Sequence, residues 1–268
     1  MNYYGKRVFI TGASSGIGQA CALMFAQNGF DVIGVSRNTE EKTVRFPGKG
    51  RLTLRRLDVT DEAATGQFVD QLPGVDIAVL CAGMGVAGPA ETTASELTRR
   101  QMEVNYFGTL NAAQPCLRRM RRQRRGLLIV MGSIAGRVTI PMQSQYSASK
   151  YALEAFTDAV RMEMKPYGVR ACIIEPGDTK TGFTSARVMQ PSDHYGSTLK
   201  KSVARMASDE QNGKSPETVA RVALALTGRK NPPARVPVGL EYKALMFLLR
   251  FVPDRGKELI LSRLYLPK

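Results

Sequence analysis

Short apolar runs at residues 7–11, 31–36, 51–59, 76–81, 126–131 and 169–174 recur along the chain. Most are followed by stretches whose apolar positions return every three to four residues, such as Ala20, Leu23, Met24 and Phe25. Period-free apolar runs read as buried strands and the 3.6-residue pattern reads as helices. Helical patterns also cover 61–71, 95–104, 105–120 and 144–166, the last stopped near Pro166-Tyr167-Gly168. A further helix begins after Ser215 as cap, with Pro216 and Glu217 in its first turn. A short strand follows at 235–238, and two basic amphipathic segments, 241–251 and 254–266, close the chain. Residues 38–50 are polar, with Pro47-Gly48 and Gly50, and read as a connection with at most a short helix. Residues 178–213 show little periodicity.

Alternating strands and helices predict an α/β fold: one doubly wound, Rossmann-type parallel sheet of about seven strands. The run Gly126 to Met131 is almost wholly apolar, as expected when helices cover both faces of the sheet. No repeat, linker or low-complexity segment divides the chain, so residues 1–268 read as a single domain with a C-terminal helical extension over 241–268.

The residues that carry chemistry fall at the C-terminal ends of the strands, where open α/β sheets bind ligands. After the first strand comes Gly12-Ala13-Ser14-Ser15-Gly16-Ile17-Gly18, then a helix. In that context backbone N–H groups and a helix N-terminus receive a pyrophosphate. Gly12 permits the tight turn, Gly16 lets the backbone approach phosphate, and Gly18 allows close helix–strand packing. The second strand ends in Ser36-Arg37 with no carboxylate, which suits a 2′-phosphate better than a bare ribose. Tyr146 and Lys150 stand four apart on one helix face, close enough for the ammonium to favour the phenolate.

Composition narrows the reading further. The 268 residues are 43% hydrophobic, an ordinary globular composition. No apolar run reaches the ~18 residues of a membrane span and no leader pattern opens the sequence, so the expectation is a cytoplasmic protein. Cys21, Cys81, Cys116 and Cys172 lie in apolar patterns without CxxC spacing and read as reduced core thiols. With His194 as the single histidine, no metal site is expected. The net charge of +15 suits an anionic cofactor, a membrane surface or nucleic acid, and does not choose among them. Six arginines between Arg118 and Arg125 read as a solvated helix end. No nucleic-acid motif accompanies them, so no nucleic-acid partner is expected.

Together the motifs Thr11-Gly12-x3-Gly16-Ile17-Gly18, Asp58, Ala82-Gly83, Asn105, Ser133, Tyr146-x3-Lys150 and Pro176-Gly177 resemble the short-chain dehydrogenase/reductase family over residues 6 to about 182. The stretch around Tyr146 is most similar to hydroxysteroid and retinol dehydrogenases and related carbonyl reductases. The resemblance implies an NADP(H)-dependent oxidoreductase, with NAD(H) as the lesser alternative. It would pass a hydride between nicotinamide and a carbonyl or secondary alcohol, here a lipophilic ketone or aldehyde of steroid, retinoid or lipid type. By that resemblance Tyr146 is the general acid, Lys150 lowers its pKa and holds the nicotinamide ribose, and Ser133 holds the substrate oxygen. Asn105 carries a water linking Lys150 to solvent. Cofactor contacts fall to the glycine turn (Gly12, Ser14, Ser15, Gly16, Ile17, Gly18), to Ser36 and Arg37, and to Asp58 and Val59. They extend to Ala82, Gly83, Asn105, Tyr146, Lys150, Pro176, Gly177, Thr179 and Thr181.

The family usually carries Asn-Ala-Gly after the fourth strand, where this chain has Cys81-Ala82-Gly83, which bears on cofactor geometry. Residues 183–213 correspond to a mobile substrate lid, with His194 exposed or touching it. The extension closes the pocket, packs in a homodimer or homotetramer, or rests on a membrane surface. Alternatives are a silent dinucleotide-binding sensor or interaction protein, and a reductase of 3-ketoacyl or small ketones.

Overall fold

The computed structural model describes residues 2–266. Residue 1 and the last two positions of the expected extension, 267 and 268, lie outside them. The chain opens with β1 (Arg7–Thr11), α1 (Gly16–Gln27), β2 (Asp31–Ser36), β3 (Lys42–Arg45) and β4 (Arg51–Arg56). It continues through α2 (Glu62–Gln71), β5 (Ile77–Leu80), β6 (Val86–Ala87) and α3 (Ser95–Met102). A π-helical turn, Glu103–Phe107, joins α3 to α4 (Gly108–Gln123). Next come β7 (Gly126–Met131), α5 (Ser144–Met164), β8 (Val169–Glu175), α6 (Phe183–Ala186) and β9 (Val188–Met189). The C-terminal part holds α7 (Gly196–Gln211), α8 (Pro216–Leu226), β10 (Arg235–Pro237), α9 (Leu240–Leu248) and α10 (Asp254–Tyr265).

Eight strands form one sheet in the order β10-β8-β7-β5-β1-β2-β4-β3. All run parallel except β3, which pairs antiparallel with β4. Strand alternation sends Val8 and Ile10 of β1 to one face and Phe9 to the other. β7 does the same, with Leu127 and Ile129 on the first face and Leu128 and Val130 on the second. The first face packs under Phe25 of α1 and Val219 and Ala223 of α8. The second packs under Val69 of α2, Cys116 and Met120 of α4, and Leu153 and Val160 of α5. Each fully buried Leu, Ile or Phe contributes about 1.5–3 kcal/mol. Both faces therefore anchor the strand ends on which the site is built.

Three expectations are corrected. Residues 38–50 contain a strand, β3, whose four residues are all exposed. An edge strand carrying Lys42 and Arg45 shows no apolar alternation, because it buries nothing. Residues 178–213 contain the 16-residue helix α7, whose buried stripe is only Leu199, Ser202 and Met206. The Ser215 hydroxyl makes no cap bond to α8, although its backbone is extended as a cap residue's is. With β3 the sheet counts eight strands, in keeping with the doubly wound sheet of about seven that was expected.

The arginine run is largely consumed by the fold. Arg119 donates to the Asp70 and Leu72 carbonyls, Arg121 and Arg124 lie over the Tyr167 ring, and Arg125 stands 3.8 Å from Asp76. No described helix is long and apolar enough to cross a membrane.

Candidate active site

Strand order reverses between β1 and β5, and the glycine turn leaves β1 at that point. The Thr11 hydroxyl accepts the N–H groups of Cys81 and Ala82 at 3.1 and 3.2 Å, tying the two strand ends together. Cys81 was expected inside a buried strand. It lies one residue past β5, half-buried, and lines the cavity described below. Burial and a hydrogen bond with Cys81, the latter the larger effect, push the Cys21 thiol up.

A Cβ on Gly18 would stand 2.2 Å from the Gly12 carbonyl oxygen, so α1 starts directly against the turn. Ser15, extended at the start of α1, makes no side-chain cap bond, and the first turn holds no acid. Its N–H groups are therefore open to an anion, with the positive end of the helix dipole behind them. At the end of β2 the Ser36 hydroxyl is buried without a partner, beside exposed Arg37. An orphaned donor next to a guanidinium fits a phosphorylated ribose. Asp58 accepts both the amide and the hydroxyl of Thr60 through one oxygen, and the Val59 carbonyl accepts from Asn111. The residues present thus fit a dinucleotide from the adenine-side acid to the pyrophosphate turn.

Ser14, Gly16, Ile17, Ala82, Gly83 and the residues just named at the β2 and β4 ends share one cavity of about 590 Å³ with Ser133, Tyr146 and Lys150. Pro176, Gly177, Thr179 and Thr181 complete this side of the wall. Thr181 packs at 3.4 Å from the position of a Cβ on Gly16, closing the loop after β8 onto the glycine turn. The Thr179 hydroxyl donates to the Gly177 carbonyl at 3.0 Å, so its side chain is turned back on its own loop.

At the reacting end, Tyr146 and Lys150 sit in the first two turns of α5, and Ser133 follows β7. The Lys150 ammonium donates to the Met131 carbonyl at 3.0 Å and lies 5.7 Å from the Tyr146 ring centre. Burial lowers the Lys150 pKa to about 8, against the weaker pull of Cys81 and Glu154. Burial also raises the Tyr146 phenol to about 12, opposed by its hydrogen bond with Ser133. The lowering of the phenol expected from its i,i+4 lysine is therefore not produced by the protein alone, where desolvation dominates. Ser133 accepts the Ala135 amide at 3.1 Å, which fixes its hydroxyl oxygen.

Asn105 does not reach the cavity wall. It is fully buried inside the π turn, where its side chain clamps the amide and carbonyl of Met84 at 2.8 and 3.0 Å and donates to Ser149. Its backbone carbonyl accepts from Thr109 at 2.7 Å. It holds the Gly83–Met84 loop against α5, with its Oδ1 3.4 Å from the Cβ position of Gly83.

The other half of the cavity comes from the segments expected as lid and extension, none of whose residues was singled out as a site residue. Phe183 packs at a tilt against Tyr146, with ring centres 5.7 Å apart, and Glu210 of α7 joins the wall. Glu210 pairs with buried Arg187. Tyr242 and Leu245 of α9 and Leu249 just past it, with Ile260, Leu261 and Leu264 of α10, form the mostly apolar side. The extension is thus part of the pocket. Arg187 and Glu210 are 23 residues apart in no recognisable motif, and no spacing signal points to them. His194 is exposed, as one of its two expected places. Among the described residues no group of His, Cys, Asp or Glu is arranged to hold a metal.

The chain matches the family model of the short chain dehydrogenases over residues 6–191. It is 35% identical over 240 residues to a 3-ketodihydrosphingosine reductase of Bacteroides thetaiotaomicron, covering 87% of each chain. Two solved structures share the fold. A short chain dehydrogenase of Burkholderia cenocepacia in complex with NADP is 22% identical, with TM-score 0.76 and coverage of 98% and 99%. A short chain dehydrogenase/reductase of Burkholderia phymatum in complex with NAD is 20% identical, with TM-score 0.78 and coverage of 97% and 96%. Matched along most of its length by the family model and by a 35% identical relative, this chain belongs to the short-chain dehydrogenase/reductase family of oxidoreductases.

Proposed function

We propose that this oxidoreductase is an NADPH-dependent reductase of a lipophilic ketone or aldehyde. The observation that carries the reading is one continuous cavity. The glycine turn and Arg37 face it at one end, Ser133 and Tyr146 at its middle, and the apolar side chains of α9 and α10 at the other. When bound, NADPH supplies the hydride that reduces the carbonyl carbon, leaving NADP+ and a secondary or primary alcohol.

Tyr146, kept neutral by burial, donates its phenolic proton to the carbonyl oxygen. Ser133 hydrogen-bonds the same oxygen and steadies its developing charge. Lys150 sits behind the phenol with a proton that is easily lost at a pKa of about 8, which suits it to return a proton to Tyr146. Asn105 positions the Met84 loop and Ser149 rather than touching the reactants. Ser36 and Arg37 support the 2′-phosphate form of the cofactor. The apolar wall, and the lipid-type ketone named for the Bacteroides relative, support the lipophilic substrate.

The same reading holds the protein to be cytoplasmic and a homo-oligomer that meets membranes only peripherally. Exposed Leu240, Phe247, Leu248 and Phe251, flanked by Lys243 and Arg250, support such contact.

The test is NADPH oxidation across long-chain ketones, steroids, retinal, 3-ketoacyl esters and small ketones, with NADH in parallel. Lipophilic ketones should turn over fastest, NADPH should bind more tightly than NADH, and Arg37→Asp should reverse that order. Equal affinity for the two cofactors in the parent protein would sink the 2′-phosphate assignment. Absence of turnover on every carbonyl, with the cofactor bound, would favour a silent sensor.

A further inference from the structure

A line of side chains leads from the reactive phenol to a buried ion pair. The Tyr146 ring meets Phe183, and the Arg187 guanidinium lies 6.0 Å from the Phe183 ring centre. Arg187 then pairs with one oxygen of Glu210, while the Thr184 hydroxyl donates to the other. The Arg187 side chain is 2% exposed and Glu210's is 18% exposed. Of the two, only Glu210 lines the cavity. The guanidinium therefore sits behind the carboxylate and the carboxylate faces the ligand.

That placement is unusual for its surroundings. The neighbouring wall is mostly apolar, with Phe183, Leu245, Leu249, Ile260 and Leu261; its polar members are Tyr242, whose hydroxyl is bonded to Asp178, Lys257, paired with Asp254, and Tyr265. The two other acids of the cavity are committed elsewhere. Asp58 lies at the far end with Thr60, and Asp178 accepts the Tyr242 hydroxyl. A carboxylate offers about four lone-pair positions, and Arg187 and Thr184 take one on each oxygen. A ligand that covers Glu210 without offering a donor strips water from the remaining positions and leaves them unpaired, at a cost of about 1–3 kcal/mol. A ligand with an ammonium group satisfies them with a charge-assisted bond. Glu210 and Arg187 also both act on the Tyr146 proton, so the pair lies within electrostatic reach of the reacting carbonyl.

We infer that Glu210 is a specificity-determining residue that anchors an amine, and that the substrate is a long-chain ketone with an ammonium group close to its carbonyl. The inference rests on the ketone-reductase reading above and adds the charged group to it. The hydrocarbon tail runs along α9 and α10, the carbonyl meets Tyr146 and Ser133, and the ammonium reaches Glu210 past Phe183. Arg187 is a positioning residue: it fixes the carboxylate rotamer and touches no substrate.

The experiment compares three ketones of matched chain length with NADPH and the full chain: a 2-amino-3-ketone, its N-acetyl derivative and the plain 3-ketone. A charge-assisted bond corresponds to about 10- to 100-fold in kcat/KM in favour of the free amine. Glu210→Gln should bring that ratio to near one, chiefly by raising KM for the amine, because the anchor acts on bound substrate and transition state alike. Glu210→Asp, which keeps the charge, should retain part of the preference, so a loss confined to the Gln variant separates anchoring from disturbed folding. NADPH fluorescence and a thermal melt check that each variant is folded. A parent ratio near one, a preference for the N-acetyl or plain ketone, or an unchanged ratio in Glu210→Gln overturns the inference while the reductase reading stands. Failure to reduce any of the three ketones, with NADPH bound, overturns both.

Discussion

The Tyr242 hydroxyl accepts the Asp178 amide at 3.0 Å, and through it α9 is fastened to the loop that leaves β8. The same ring fills the space above Gly177: a Cβ there would stand 2.0 Å from the ring carbon Cζ. The extension and the cofactor-side loop are thus packed as one unit.

Gly177→Ala should therefore destabilise the protein by about 1–3 kcal/mol and weaken NADPH binding, through overpacking rather than lost chemistry. Tyr242→Ala on that background should recover part of the stability, since it removes the clashing ring. The measurement is a double-mutant cycle in urea with NADPH titration of each variant. Strictly additive losses would mean that the two residues do not oppose one another.

Tyr146→Phe should lower the rate of ketone reduction by about 10²–10⁴-fold while NADPH still binds. The phenol offers a second readout. Its pKa in the fold is about 12, raised from 10.0. The folded chain therefore holds this proton more tightly than the unfolded one. Its contribution to stability is complete below pH 10 and is lost as pH rises through 12. Ultraviolet difference titration of the parent against Tyr146→Phe should show one tyrosinate appearing late in that window. A variant that keeps most of its rate would remove Tyr146 from the acid role.

Lys150 shifts the other way, to about 8 from 10.5. Between those values the unfolded chain binds more protons than the folded one, so the lysine's effect on stability improves as pH rises through the window. The full shift corresponds to about 3 kcal/mol. Urea midpoints at pH 8 and pH 10.5 should show this gain in the parent and not in Lys150→Met. Parallel pH curves for the two proteins would contradict it.

Glu154 gives an opposite slope at lower pH. Burial, with Glu175 beside it, raises its pKa from 4.5 to about 7, although Arg235 pulls it down. Arg235 donates to Glu154 at 2.8 Å and also reaches Asp158, while one Glu175 oxygen is 3.2 Å from Arg137. A raised carboxyl pKa contributes stability that is present below pH 4.5 and is lost as pH rises through 7. Thermal melts between pH 4.5 and 7.5 should show the parent losing this increment and Glu154→Gln losing less. Equal slopes in both would place the shared proton elsewhere.

The strand ends were legible because their residues obey local rules. The glycine turn announces itself by spacing, and the β5 and β7 runs are apolar throughout because both faces are covered. Asp58, Ser133, Tyr146 and Lys150 could be found because each lies at a fixed place in that frame. β3 escaped notice since a fully exposed edge strand leaves no apolar imprint. α7 escaped because Ser202 interrupts its buried stripe. The Arg187–Glu210 pair and the Tyr242–Gly177 contact depend on tertiary proximity alone. Asn105 was found by motif, but the π turn that buries it and turns its amide toward Met84 has no sequence signal of its own.

The turn at Glu103–Phe107 has a consequence for insertions and deletions. A π turn holds one residue more than the α-helical turn it replaces, so α3 and α4 are set out of phase with each other. One residue corresponds to roughly 100° of rotation. Deleting Tyr106 would restore an unbroken α-helix and swing Gln101, which bonds Met84 and Val86, away from its loop whenever Ala112, Cys116 and Met120 stay in the core. A conservative substitution in this segment preserves the phase, whereas a single-residue deletion cannot, however mild the residue removed.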